Sequence, residues 1–166
     1  MGSIFSQTIG TDDTGSSGYS HRNLCQGVLS NGTALTVTFK AASTGTWTVA
    51  HASVGIQSSK YNTVSTPVEL LFSGSSGFSL AASGTVTSDL TSLTFNKGDT
   101  LIVIVDVTTN NGKMNTTGGS GERYFLAATS SYNVASPGGS WGTSATAGDV
   151  SDISITGTVS AQTVFS

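Results

Sequence analysis

The sequence predicts an all-β fold, an antiparallel β-sandwich of jelly-roll-like type, and three observations carry that prediction. The first is the run Asp99-Thr-Leu-Ile-Val-Ile-Val-Asp-Val107, aliphatic and β-branched, bounded by the turn formers Asn96-Lys97-Gly98 and Asn110-Asn111-Gly112. Leu101, Val103, Val105 and Val107 alternate in it with Ile102 and Ile104, so a central strand covered on both faces is expected. The second is a series of shorter alternating segments separated at roughly even intervals by Gly, Ser and Asn, as in sandwiches and jelly rolls. The third is composition: 9% of residues are charged, 21 of 166 are glycine and about a third are Ser or Thr. Helix surfaces draw on Glu, Lys, Arg, Gln and Ala, whereas Thr and Val suit a pleated sheet and Ser and Gly its turns. A hydrophobic fraction of 36%, set in alternating runs, separates the chain from disordered Ser/Gly-rich sequences.

Taken in order, residues 1–32 are expected to form an N-terminal arm or edge strands, and residues 33–166 the β-sandwich domain. Ile4 to Ile9 reads as an edge strand, followed by the turn-rich loop Gly10 to Gly18. Asp12 and Asp13 in that loop read as solvated acids, because the ligand spacing of a calcium loop is missing. Leu24 to Leu29 reads as a short strand ending at the hairpin dipeptide Asn31-Gly32. Ile4, Phe5 and Ile9, with Phe165 in the apolar tail, need a cover and are candidate assembly residues on a neighbouring subunit. An ordinary first strand in the chain's own sheet is the alternative for the N-terminal residues.

Thr33 to Lys40 alternates, with Leu35, Val37 and Phe39 facing inward. Strict alternation through Thr46 to Gln57 puts Trp47, Val49, His51 and Ser53 on one face and Thr48, Ala50, Ala52, Val54 and Ile56 on the other; His51, a lone histidine in mid-strand, reads as structural. Pro67 opens the strand Val68 to Phe72, where a missing amide proton is tolerated. Phe78–Leu80 and Thr85–Thr87 read as short strands, and Leu90, Leu93 and Phe95 lead into the central one. Arg123 to Ala128 and Val150 to Val159 read as the last strands. The Gly/Ser/Thr-rich stretches 110–121 and 130–148 read as loops of the kind that bind partners. Tyr132 and Trp141 lie in the second loop, and with Tyr19 they are candidate glycan-binding aromatics.

Charge and motifs narrow the chemistry. Net charge is −3 and the six basic residues, Arg22, Lys40, Lys60, Lys97, Lys113 and Arg123, are scattered, so no nucleic-acid partner is expected. The apolar runs are all too short to span a bilayer, so no membrane partner is expected either. The start, Met-Gly-Ser-Ile-Phe-Ser, lacks the basic region and apolar core of a secretory leader, from which we expect a chain that is made and stays soluble. Cys25 stands alone and reads as a buried, inert thiol; the histidines are too few for a metal cluster, and no cofactor is expected. Gly98-Asp99-Thr100-Leu101 echoes the Gly-Asp-Ser-Leu motif of a hydrolase family with Thr in the nucleophile's place. It opens a strand instead of closing one, and His21 and His51 both lie upstream, so no nucleophile–base pair follows and no enzymatic activity is expected.

The stretch Thr66-Pro-Val-Glu-Leu-Leu-Phe-Ser-Gly-Ser-Ser-Gly-Phe-Ser-Leu-Ala-Ala-Ser-Gly-Thr-Val-Thr-Ser-Asp89 resembles the β-sandwich module that precedes the catalytic domain in bacterial Gly-Asp-Ser-Leu (SGNH-type) hydrolases. Leu90 stands where that module has Pro, and the similarity extends loosely from Leu35 through Val107. The stretch is also similar to free-standing modules of bacteriophage head-decoration, tail and fibre proteins. A module without its hydrolase domain implies adhesion or assembly. The resemblance therefore implies a non-enzymatic structural protein of the virion, partnered by copies of itself or by other virion proteins. The alternative is a carbohydrate-binding module in which Tyr19, Tyr132 and Trp141 engage a cell-surface glycan, located at the bacterial cell surface or in the bacterial cytoplasm.

Overall fold

The computed structural model describes residues 2–7, 11–13, 17–114, 121–127, 130–144 and 150–155. Its strands are β1 Gly2–Ser6, β2 Thr11–Asp13, β3 Tyr19–Cys25, β4 Gly32–Lys40, β5 Trp47–Ser59, β6 Asn62–Thr63, β7 Val68–Phe72 and β8 Ser75–Ser76. There follow β9 Phe78–Leu80, β10 Thr85–Thr87, β11 Thr91–Phe95, β12 Leu101–Thr109, β13 Gly112–Met114, β14 Gly121–Leu126, β15 Gly142–Ser144 and β16 Val150–Ile155. The pairings are antiparallel, and the described residues contain no helix. One sheet runs β1-β16-β4-β10 with β11 also on β4; the other runs β15-β14-β3-β12-β5-β7-β8 with β6 and β9 also on β5. The fold is an all-β sandwich.

The core lies between the two sheets. Leu35, Val37 and Phe39 of β4 and Phe95 of β11 meet Val49, Ala52 and Val54 of β5, Leu70 and Phe72 of β7, and Leu101, Val103, Val105 and Val107 of β12. Phe39, Trp47, Phe72 and Phe78 form an aromatic knot with ring centroids 4.9 to 6.1 Å apart, mostly edge to face, as the ring quadrupoles favour. β12 lies between β3 and β5, and the residues of its opposite face, Ile102 and Ile104, are buried in a second, smaller cluster with Leu24. Both faces of this strand are covered, as its unbroken aliphatic run predicts. Cys25 is 1% exposed, and burial pushes its thiol far above the ordinary range, which leaves it inert.

Residues 2–6 and 19–25 supply strands of the sandwich: β1 pairs with β16, and β3 lies between β14 and β12. Ile4 and Phe5 both enter the core, at 1% and 4% exposure, because the register shifts between Ser3 and Phe5 and lets two consecutive side chains turn the same way. β1 is the edge strand of this sheet, beside β16.

Asp13 is not a solvated loop acid: it is 7% exposed and paired with Arg123, while Asp12 accepts the Ser43 amide at 3.1 Å. The ribbon β2–β13 places these acids against the body.

The strict alternation expected in β5 breaks at Ala50. Val107 pairs with Val49 and Asp106 with His51, so β5 carries one extra residue, a β-bulge, and its phase reverses. Val49, Ala52 and Val54 share the core face, and His51 and Ser53 move to the outer face. Gly77 packs against the bulge with φ +65°; a Cβ there would stand 2.3 Å from the Val49 carbonyl oxygen.

Candidate functional site

The outer face of the larger sheet carries the polar cluster of interest. Strand parity puts Ser20, Arg22 and Leu24 of β3, Ile102, Ile104 and Asp106 of β12, and His51 and Ser53 of β5 on this face. Residues 130–141 cross it as a strap. Arg22 and Ser20 are 0% exposed and Asp106 5%, unusual burial for such groups unless they are bonded.

They are bonded, and to the strap. Asp106 Oδ1 accepts the Ser20 hydroxyl at 2.7 Å and the Ser131 amide at 3.2 Å, while Oδ2 accepts the Tyr132 amide at 3.3 Å. Arg22 Nη2 donates to the carbonyls of Ser131 at 2.7 Å and Val134 at 2.6 Å, and Nη1 donates to Tyr61 O at 2.9 Å. Ser53 donates its hydroxyl proton to Tyr132 O, and the Thr63 amide donates to Ala135 O at 2.9 Å. Donors and acceptors of the strap backbone are thus satisfied by the sheet beneath it, which a covered loop requires. Burial lowers Arg22 to about 10, with Asp106 and then Tyr61 opposing the shift, so the guanidinium stays charged at neutral pH.

Aromatic side chains close the layer. Tyr61 stacks on Trp141 at 5.0 Å and meets Tyr124 edge-on at 5.3 Å, and the Arg22 guanidinium lies 5.5 Å from the Trp141 ring. Trp141 Nε1 donates to Gly138 O at 3.2 Å. At the other end of the strap Tyr132 stacks on His51, with ring centroids 4.1 Å apart and planes within 6° of parallel. His51 Nδ1 lies 3.0 Å from Glu69 Oε1, which also accepts the Ser76 hydroxyl at 2.8 Å; these two bonds hold Glu69 below the usual carboxylate range.

Of the three candidate glycan-binding aromatics, Tyr132 and Trp141 share the strap. Tyr19 does not join them: its parity is that of His21 and Cys25, on the opposite side of the sheet, where it tilts against Phe125 at 6.2 Å. Of the assembly candidates, Ile4 and Phe5 are in the core, and Ile9 and Phe165 lie outside the described residues.

Ser20, Arg22, Asp106 and Ser131 went unrecognised in the sequence. The signal was there in Asp106, an acid at the parity of Ile102 and Ile104 within an aliphatic run, where a charge needs a partner. Among the described residues no group of three or more His, Cys, Asp or Glu could hold a metal ion. Compared with protein-family models and with curated proteins, the chain matches none.

Proposed function

We propose that this chain is a non-enzymatic structural protein of a bacteriophage virion, a head-decoration, tail or fibre component. It assembles through a sandwich of jelly-roll type with copies of itself or with other virion proteins. The observation that carries the reading is the role of Arg22, Asp106, Ser20 and Ser53. Groups that elsewhere bind or transform substrates are here bonded to the chain's own strap, and Ser20, Ser131 and Asp106 are each no more than 5% exposed, beyond a substrate's reach. The result is a body tied across both faces of its larger sheet, as a display or cementing protein needs.

The sequence pattern from Thr66 to Asp89, similar to phage modules, supplies the class. Leu29, Val64 and Leu90, at 66%, 67% and 58% exposed, remain open to neighbours. The glycan alternative has less support. One face of Tyr132 is covered by His51, Trp141 is engaged by Tyr61 and Arg22, and Tyr19 lies across the sheet from both. Native mass spectrometry of the protein alone and after incubation with phage capsids and tails tests the proposal. Self-assembly or particle binding is expected. A monomer that binds neither particle overturns it, and glycan-array binding lost on Trp141→Ala would favour the alternative.

A further inference from the structure

We propose that His51 and Glu69 form a pH-sensitive latch on the strap, which grips Tyr132 more tightly when the imidazole is protonated. The bulge at Ala50 brings His51 to the outer face, where its ring lies parallel to Tyr132 at 4.1 Å and its Nδ1 meets Glu69 at 3.0 Å. The side chains of His51 and Glu69 are 35% and 33% exposed, so the pair exchanges protons with solvent although Tyr132 covers one side. Histidine is the side chain whose charge ordinarily changes between about pH 5 and 8.

The groups facing the ring set the sign. β7 contributes Glu69, β12 contributes Asp106 as the cross-strand partner of His51, and the strap contributes Tyr132; β9, paired with β5 nearby, contributes the uncharged Ser79. Arg22, on β3, is the opposing cation, and it is bonded to the strap at Ser131 and Val134. Glu69 and Asp106 are thus the acidic side chains of the elements around the ring. Glu69 keeps its charge through the imidazole range because its hydrogen bonds hold it low. Protonation turns the His51–Glu69 hydrogen bond into an ion pair and sets a cation on the Tyr132 ring face, an interaction worth about two- to fivefold in an equilibrium at a partly exposed site. Tyr132 is also where Asp106 and Ser53 hold the strap, so a change at its ring alters the opening of the strap over Ile102 and Ile104.

The test is amide hydrogen exchange of the full chain by NMR at about pH 5.5 and about pH 8, either side of the imidazole range. Protection of the Tyr132 amide, corrected for intrinsic exchange chemistry, is compared with that of Val103 in the central strand. The expected result is about two- to fivefold higher relative protection at the lower pH. The dependence should disappear in His51→Gln and weaken in Glu69→Gln. A pH-independent wild type overturns the latch, as does an unchanged dependence in His51→Gln, which would assign it to Asp106 or another group. Should His51→Gln fail to fold, the wild type still decides: the titration midpoint of the His51 ring and that of the Tyr132 amide must coincide, and separate midpoints overturn the proposal.

Discussion

Replacing Asp106 by alanine removes one acceptor group for the Ser20 hydroxyl and the amides of Ser131 and Tyr132 together. It also leaves the buried Arg22 guanidinium without the carboxylate that opposes its desolvation. Breaking such a buried arrangement on one side costs about 3–5 kcal/mol, so Asp106→Ala should move the urea midpoint far down with little change in slope. A midpoint equal to the wild type's would mean that the bonds from Arg22, Ser53 and Thr63 and the aromatic contacts hold the strap without Asp106. Glu69 gives a pH prediction at the same scale. Its folded-state pKa is depressed by the bonds from His51 and Ser76, so its stabilisation is present above the unfolded carboxylate value and is lost as pH falls through the folded one. Glu69→Gln should therefore flatten the acid limb of a stability-versus-pH curve below about pH 5. An acid limb as steep as the wild type's would place the acid sensitivity in other carboxylates.

At the scale of elements, legibility followed how each strand is buried. β12 was readable because apolar residues occupy both parities, and the structure covers both with separate apolar clusters. β3 was not, because Tyr-Ser-His-Arg-Asn-Leu-Cys has no apolar period. Its burial depends on partners far along the chain, such as Ser131 and Val134 for Arg22 and Val103 O for Asn23. The phase of β5 was lost for a related reason: the bulge at Ala50 is stabilised by its fit to β12 and to Gly77, neither of which marks Ala50 locally. The same bulge moved His51 and Ser53 into the site, so a one-residue error in strand phase concealed the part of it that β5 supplies. Val103 gives the element-scale prediction. It is 0% exposed, with Asn23 and Val54 opposite it on either side, so Val103→Asp buries a charge with no partner. A loss of more than about 4 kcal/mol is expected, seen as failure to recover soluble folded protein. A folded, soluble variant would show this strand to be peripheral.

At the scale of the molecule, a boundary at Asn31-Gly32 separates residues that the fold keeps together. No hairpin forms there, since β3 and β4 lie in different sheets and Gly32 already opens β4; Asn31 Oδ1 accepts the Lys97 amide at 2.7 Å, and the link joins two sheets of one core. β3 before it pairs with β12 and β14, and β1 borders β16 while the Leu29 amide donates to Ile4 O at 3.0 Å. Deleting residues 1–10 therefore removes Ile4 and Phe5 from the core, 1% and 4% exposed, and uncovers the outer side of β16. Truncating a buried Ile costs about 2–5 kcal/mol and a buried Phe about 3–5 kcal/mol, against a total stability of about 5–15 kcal/mol for a domain. The shortened chain should be insoluble, or compact without fixed packing, with dye-accessible apolar surface and a broad, weak urea transition. An N-terminal arm would behave differently, leaving a folded monomer of wild-type stability that has lost only its ability to assemble. The urea transition separates the two outcomes before any assembly is measured, because loss of an arm leaves the midpoint in place and loss of β1 cannot.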